Sequence, residues 1–301
     1  MAPPPPTTEP VAEAIRKAEI LLEALDFIRG FRHRVVVIKL GGSVLEVAET
    51  LDATLQDVVF METVGLRPIL VHGGGKAITE ACAKAGIQTQ FVRGRRYTDE
   101  ATLKIVADVL AGQINADLVE RIERAGGSAL GLHHLTRPVL YGRKLELEEE
   151  GQRLDIGRVG EVARVDTSPL LKLATAGIIP VLPSLAIEDG TDGLLNVNAD
   201  TVAAAVAESL KAEKLVFISD TPGVLSDPND AGTLLPSLTE ADCKRLMAEG
   251  VLKGGMIPKV EACLSSLRAG VGKIHLVDGR VRHSLLLEIY TRHGIGTEIV
   301  L

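Results

Sequence analysis

Two apolar runs in this chain end in glycine clusters, and these junctions constrain its fold more than any other feature. Val35-Val36-Val37-Ile38-Lys39-Leu40 runs into Gly41-Gly42-Ser43, and Ile69-Leu70-Val71-His72 runs into Gly73-Gly74-Gly75-Lys76. Continuous aliphatic runs suit strands buried on both faces, as in a parallel sheet covered by helices. Glycines at the strand ends let an anion approach bare peptide N–H groups, because no Cβ stands in the way. Further glycines and polar side chains follow in Asn196-Val197-Asn198-Ala199-Asp200 and Lys253-Gly254-Gly255-Met256-Ile257-Pro258-Lys259. Lysines at both ends of the chain can therefore flank one anion, which points to phosphoryl transfer. A P-loop is excluded, because that motif needs glycine where Leu70 stands and Ser or Thr where Ala77 stands.

The chain has 301 residues, of which 46% are hydrophobic and only 3% aromatic, with no tryptophan. That predicts an aliphatic core in one large α/β domain or two fused lobes. A net charge of −7 argues against nucleic acid as the main partner. It leaves room for ATP wherever a cleft carries a local positive field. Cys82, Cys243 and Cys263 form no CxxC pair, so neither a disulfide scaffold nor a zinc site is expected. The N-terminus lacks a secretory signal and no apolar run reaches membrane-spanning length. The expectation is a soluble, cytoplasmic protein.

Residues 1–10 hold five prolines and predict an extended or disordered segment. A helix is predicted over 11–29, with Val11, Ile15, Ala18, Leu22 and Leu25 forming a narrow coiled-coil-like seam and Gly30 as its stop. It either packs on its own domain or forms a detached arm that meets a second copy. From residue 34 onward, strands and helices alternate, which predicts a mostly parallel, doubly covered sheet. A long amphipathic helix over 99–124 carries the stripe Leu103, Val106, Leu110, Ile114, Leu118 and Ile122. Residues 132–166 break the rhythm and predict a short antiparallel ribbon that serves as a lid or edge cover. A final helix is predicted over 282–293.

Lys39 sits where ligands bind in open α/β sheets, outside the carboxyl end of a strand. Alone it reads as a solvated flanking lysine, and the neighbouring glycines shift that reading. His72-Gly73-Gly74-Gly75 reads as an anion nest at a helix N-terminus, since an ordinary tight turn rarely needs three glycines. The basic loop Arg93-Gly94-Arg95-Arg96-Tyr97-Thr98-Asp99 suits carboxylate recognition, or it is simply a charged loop. Asn198 or Asp200 is a helix cap or an organiser of substrate and lysines. Ser219-Asp220-Thr221-Pro222-Gly223-Val224-Leu225 and the 252–259 segment can face a nucleotide, or merely supply turn chemistry.

In order and spacing, these residues resemble the amino acid kinase family over 33–301. Within it they resemble the arginine-sensitive branch that phosphorylates N-acetyl-L-glutamate, which the 11–30 arm also matches. The resemblance implies an eight-stranded, mostly parallel sheet between helical layers. Residues 31–190 would take the acyl amino acid, with a lid near 132–166, and 191–301 would take ATP. It implies that Lys39 and Lys259 stabilise the phosphoryl group in flight and that Asp200 orients both lysines. Gly74 and Gly75 would cradle the reacting carboxylate, while Arg96 and Asn196 hold the α-carboxylate end. Gly41, Gly42, Asp220, Thr221, Gly223, Val224, Leu225, Val251, Leu252 and Lys253 would line the nucleotide site, with Mg2+ carried by ATP. It further implies a hexamer built as a trimer of dimers, inhibited by arginine at His275, Glu288 and Gly294, and a PII-type signalling protein as a candidate partner. The expected reaction is ATP-dependent phosphorylation of the γ-carboxylate of N-acetyl-L-glutamate to N-acetyl-L-glutamyl 5-phosphate, in arginine biosynthesis. A kinase for a related acidic amino acid such as aminoadipate is an alternative. So is a non-catalytic regulatory binder, against which Lys39, Asp200 and Lys259 argue. The chain departs from the usual pattern at Lys76, where close relatives have proline, and at Arg95 and Tyr97 in the basic loop.

Overall fold

The computed structural model describes residues 9–149, 152–227, 229–252 and 256–301. Its centre is an eight-stranded sheet. The strand Val35–Leu40 lies in the middle, paired in parallel with Arg67–His72 on one side and Lys214–Ser219 on the other. Ile179–Pro183 and then Ala129–Gly131 extend the sheet beyond Arg67–His72, and Lys273–Asp278 extends it beyond Lys214–Ser219, all in parallel. Only Thr297–Val300 and its parallel neighbour Ser237–Thr239 run the other way. The open, mostly parallel sheet is the expected fold.

Alternation along the central strand assigns its side chains to two layers. Val36, Ile38 and Leu40 enter one core with Leu55, Leu118 and Ile122. Val37 enters the opposite core with Val202, Val206 and Leu215. Period-two geometry therefore puts Lys39 on the Val37 face and the paired residue His72 on the Leu40 face.

The 132–166 ribbon is real but forms part of something larger. Leu140–Lys144 and Val159–Val165 pair antiparallel, and Leu185–Glu188 with Leu194–Val197 closes them into a four-stranded barrel. A smaller hairpin, Leu147–Glu149 with Gln152–Leu154, projects from it. The barrel rests on the Val37-face core through Leu140, Ala186, Leu195 and Val197.

The first helix runs from Glu9 to Phe31 and passes through Gly30. The chain turns instead at His33, in the left-handed region with φ 67°. Residues 1–8 of the expected disordered segment lie outside the described residues. Ile20, Leu21 and Leu22 are about two-thirds exposed at 65–69%. Only Phe27, Ile28 and Phe31 reach the core. The helix is exposed along most of its length and anchored by its last turns. The final helix is shorter than expected, Ser284–Ile289, and the glycine-rich tail after it forms the strand Thr297–Val300.

Candidate active site

The strands carrying Lys39 and His72 both end at one edge of the sheet, where open α/β sheets bind ligands. A cleft of about 310 Å³ opens there, lined among others by Lys39, Gly42, Gly74, Gly75, Arg96 and Asn196. Residues drawn from four separate stretches of sequence thus meet in one cleft.

The basic loop is a β-hairpin, Phe91–Val92 against Arg95–Arg96. Arg93 and Gly94 turn it with φ 48° and 75°. Two successive positive φ values match the right-handed twist of the flanking strands. Alternation in the second strand turns Arg96 inward, where it is 7% exposed. Its Nη2 donates to Gly75 O and to Thr79 Oγ1, both at 2.8 Å, and Nη1 donates to Thr89 Oγ1 at 3.0 Å. The Phe91 ring centre lies 5.0 Å away. Arg96 makes no ion pair with another described residue. Burial lowers its pKa, yet a guanidinium stays charged in proteins, so its positive charge faces the cleft uncompensated. Asn196 Nδ2 donates to Thr98 Oγ1, and that hydroxyl donates to Arg96 O at 2.8 Å. Asn196 and Arg96 are thereby held in one network.

Lys39 Nζ lies 2.8 Å from Asp200 Oδ1. Asp200 stands in the first turn of helix Ala199–Leu210, and Asn198 caps that helix by accepting from Asp200 N and Thr201 N. Of the two readings for this motif, Asn198 takes the cap and Asp200 the organising contact. Lys259, in the first turn of helix Met256–Arg268, lines an adjoining cleft of about 430 Å³ together with Asp200, Arg95 and Phe217. It makes no ion pair with another described residue, so only Lys39 is held by Asp200 here. Lys76 does not add a free cation: its Nζ pairs with Glu46 Oε2 at 2.9 Å.

A third cleft, of about 270 Å³, brings together Thr221, Gly223, Val224, Leu225, Val251 and Leu252. Asp220 is exposed and does not line it. Lys253 lies outside the described residues. Gly41 serves the sheet rather than the cleft. Its N–H donates to Ile218 O at 2.8 Å, and a Cβ there would come 2.5 Å from the same oxygen.

The expected effector residues also meet, as a buried network. His275 Nδ1 donates to Glu288 Oε1 at 2.7 Å, and Glu288 Oε2 accepts from Ile295 N and Gly296 N, each at 2.8 Å. Burial raises the Glu288 pKa, but the His275 bond and the two amides outweigh it and leave the carboxyl below its usual value. Gly294 has φ +59°, and a Cβ there would stand 2.6 Å from Glu288 Oε2. Lys214, which sequence reasoning missed, lies with its Nζ 3.0 Å from His275 Nε2 and 4.6 Å from the centre of the Phe31 ring. Burial first, then Lys273, pushes Lys214 down to about 8. Oε1 accepts a single bond, so it keeps a free acceptor site, but Glu288 is only 7% exposed and pairing it with a guanidinium requires access to a buried carboxylate.

The long helix holds a further surprise, because Asp108–Ile114 is a π-helical segment between Glu100–Ala107 and Asn115–Arg124. Such segments recur at functional sites. A Cβ on Gly74 would come 2.5 Å from Ile114 Cδ1 and 2.8 Å from Leu110 Cδ2, both on this segment. The stripe carried the signal: from Val106 to Ile122 it advances only in steps of four. Each such step drifts about 40° on an α-helix, so the stripe keeps one face only where the helix is locally underwound.

Fold and site define a class. Residues 34–278 match the model of the amino acid kinase family. The acetylglutamate kinase of Symbiobacterium thermophilum is 44% identical over 290 residues, covering 96% of this chain and 99% of that protein. The acetylglutamate kinase of Methanocaldococcus jannaschii is 44% identical over 292 residues, covering 95% and 97%. Among solved structures, N-acetylglutamate synthase from Neisseria gonorrhoeae, complexed with coenzyme A and N-acetyl-glutamate, superposes with a TM-score of 0.82 at 26% identity. That match covers 94% of this chain and 63% of the longer synthase chain. The chain belongs to the amino acid kinase family.

Proposed function

We propose that the chain transfers the γ-phosphoryl group of ATP to the γ-carboxylate of N-acetyl-L-glutamate, giving N-acetyl-L-glutamyl 5-phosphate and ADP. One observation carries this reading: one cleft is lined by Lys39, by Gly73, Gly74 and Gly75, and by Arg96, which makes no ion pair with another described residue. That arrangement suits an acceptor with two carboxylates, one reacting and one held. Residues 31–190 would hold the acceptor and 191–301 the nucleotide, with Thr221 to Leu225, Val251 and Leu252 around it.

A carboxylate attacking ATP brings two anions together. A γ-carboxylate oxygen attacks the γ-phosphorus in line, the bond to the β–γ bridging oxygen breaks, and ADP leaves with that electron pair. No covalent enzyme intermediate is needed, so catalysis is positioning and electrostatics. Lys39 and Lys259 would offset charge as it spreads over the phosphoryl oxygens, and Asp200 keeps Lys39 aimed. Gly74 and Gly75 N–H groups would meet the carboxylate, and Arg96 and Asn196 the α-carboxylate end. Mg2+ would travel on the ATP oxygens. Hydroxylamine added to a reaction of ATP with N-acetyl-L-glutamate should trap the acyl phosphate as a hydroxamate. ADP formed without any trappable product would reject the assignment of the acceptor.

For regulation, we infer an arginine-inhibited hexamer. The exposed arm supplies the surface for a second copy, and Phe31 against Lys214 links it to the His275–Glu288 network.

A further inference from the structure

The strongest unassigned feature of the site is a buried polar line behind the glycine nest. His72 is fully buried, on the sheet face opposite Lys39. Its Nδ1 lies 3.0 Å from Gly73 O. A carbonyl oxygen only accepts, so Nδ1 must carry the proton. Its Nε2 lies 3.0 Å from Asn115 Nδ2, and the same Nδ2 lies 3.0 Å from Val181 O. The carbonyl of Val181 requires an amide nitrogen at that position, so Asn115 donates to Nε2 as well. Both ends of the ring therefore demand one tautomer, and Asn115 directly follows the π segment that packs on Gly74.

The peptide between Gly73 and Gly74 is planar and trans. Fixing its carbonyl toward His72 turns its N–H the opposite way. Gly74 lines the cleft, and the Gly73, Gly74 and Gly75 amides donate to no other described residue. On the next carbonyl but one, Arg96 Nη2 and Thr79 Oγ1 both hold Gly75 O. The nest is thus pinned from two sides by its carbonyls.

We infer that His72 is a positioning residue: its Nδ1–H, fixed in that tautomer by Asn115, holds the Gly73 carbonyl so that the Gly74 amide presents its hydrogen to the carboxylate being phosphorylated. This rests on the proposed role of Gly74. Burial keeps the ring uncharged by lowering its pKa to about 4, so the interaction persists across the physiological range.

Full-length His72→Asn and His72→Gln separate this from packing. The Asn amide nitrogen falls near the position of Nδ1 and can still donate to Gly73 O, whereas the Gln amide reaches toward Nε2. The expected result is a kcat within about threefold of wild type for His72→Asn and a drop on the order of 10–10²-fold for His72→Gln, part of what full loss of an oxyanion-type donor costs. KM for ATP should stay unchanged in both. Equal losses in the two variants, or a wild-type kcat in His72→Gln, overturn the proposal. The wild-type protein gives a test independent of whether either variant folds. Histidine 15N NMR should show Nδ1 of His72 protonated and Nε2 as an acceptor, and the reverse tautomer rejects the idea. The Gly74 amide resonance keeps the two claims apart. If it does not move when N-acetyl-L-glutamate is added to wild type, the cradle itself is wrong. If it moves equally in wild type and His72→Gln, only the role of His72 fails.

Discussion

Lys39 and Asp200 form a contact whose loss can be read kinetically without a large stability penalty. The Asp200 side chain is 44% exposed, so although Oδ1 is buried, solvent still reaches the carboxylate when Lys39 is removed. Lys39→Ala and Lys259→Ala should each lower kcat on the order of 10²–10³-fold, because these bonds tighten as charge migrates. KM for both substrates should shift little; a near-normal kcat in either variant removes that lysine from the mechanism. Arg96 is different, since it both faces the cleft and holds Gly75 O. Arg96→Ala should raise KM for N-acetyl-L-glutamate and lower kcat together, leaving KM for ATP unchanged. Arg95→Ala should affect the acceptor less, and a larger effect there would reverse the assignment of the two arginines. His72 also predicts a pH dependence. Its pKa falls from 6.5 to about 4 on folding, so the unfolded chain binds a proton that the folded chain refuses. Its contribution to stability is intact above pH 6.5 and is lost as pH falls toward 4. The loss runs at up to about 1.4 kcal/mol per pH unit. Urea unfolding of wild type and His72→Asn across that range isolates this term, and a pH-independent difference between them would mean His72 titrates normally.

At the scale of elements, the strands that sequence disclosed were those with long aliphatic runs. Val35–Leu40, Arg67–His72 and Lys214–Ser219 each bury both faces, and that leaves a continuous pattern. The three-residue strands Ala129–Gly131 and Ser237–Thr239 are too short to show periodicity. Leu194–Val197 is hidden because it is four residues long and its polar Asn196 runs straight into the helix start that Asn198 caps. Lys39, Gly74, Gly75, Asp200 and Lys259 were legible because they sit at strand ends or helix starts, where glycine and capping chemistry punctuate the chain. Thr79, Thr98, Asn115 and Lys214 were not, since a lone polar residue without glycine or capping neighbours gives no local sign of what the fold brings to it. The arm makes an element-scale prediction. Its seam is exposed while Phe31 touches Lys214. Deleting residues 1–28 should therefore leave an active dimer that ignores arginine, read by light scattering and an arginine titration. A truncated protein that remains hexameric or arginine-sensitive would assign assembly and control to another surface. Glu288→Ala should blunt inhibition without dismantling the ring. It also frees the Ile295 and Gly296 amides, so a modest loss of thermal stability should accompany it.

Across the whole molecule, one sheet edge gathers the proposed chemistry from the strands, the hairpin, the barrel and two helix starts. Lys39 and His72 lie on adjacent strands, and Lys214–Ser219, which leads into the proposed nucleotide segment, pairs on the other side of Lys39. In the proposed reaction, acceptor and nucleotide would approach one edge from neighbouring strands, with the barrel beside the acceptor. An effector acts on such a molecule only by binding two of its states unequally, so arm, ring and C-terminal network must be coupled if arginine inhibits. The assigned acceptor is best tested by ADP release from ATP by the full-length protein, measured against a panel of N-acylated acidic amino acids. Turnover should depend on N-acetyl-L-glutamate and fall sharply for the aspartate and aminoadipate analogues, whose γ-equivalent carboxylates sit one methylene too near or too far from the glycine nest. Turnover preferring the aminoadipate analogue, or ADP release indifferent to any acceptor, would contradict that assignment.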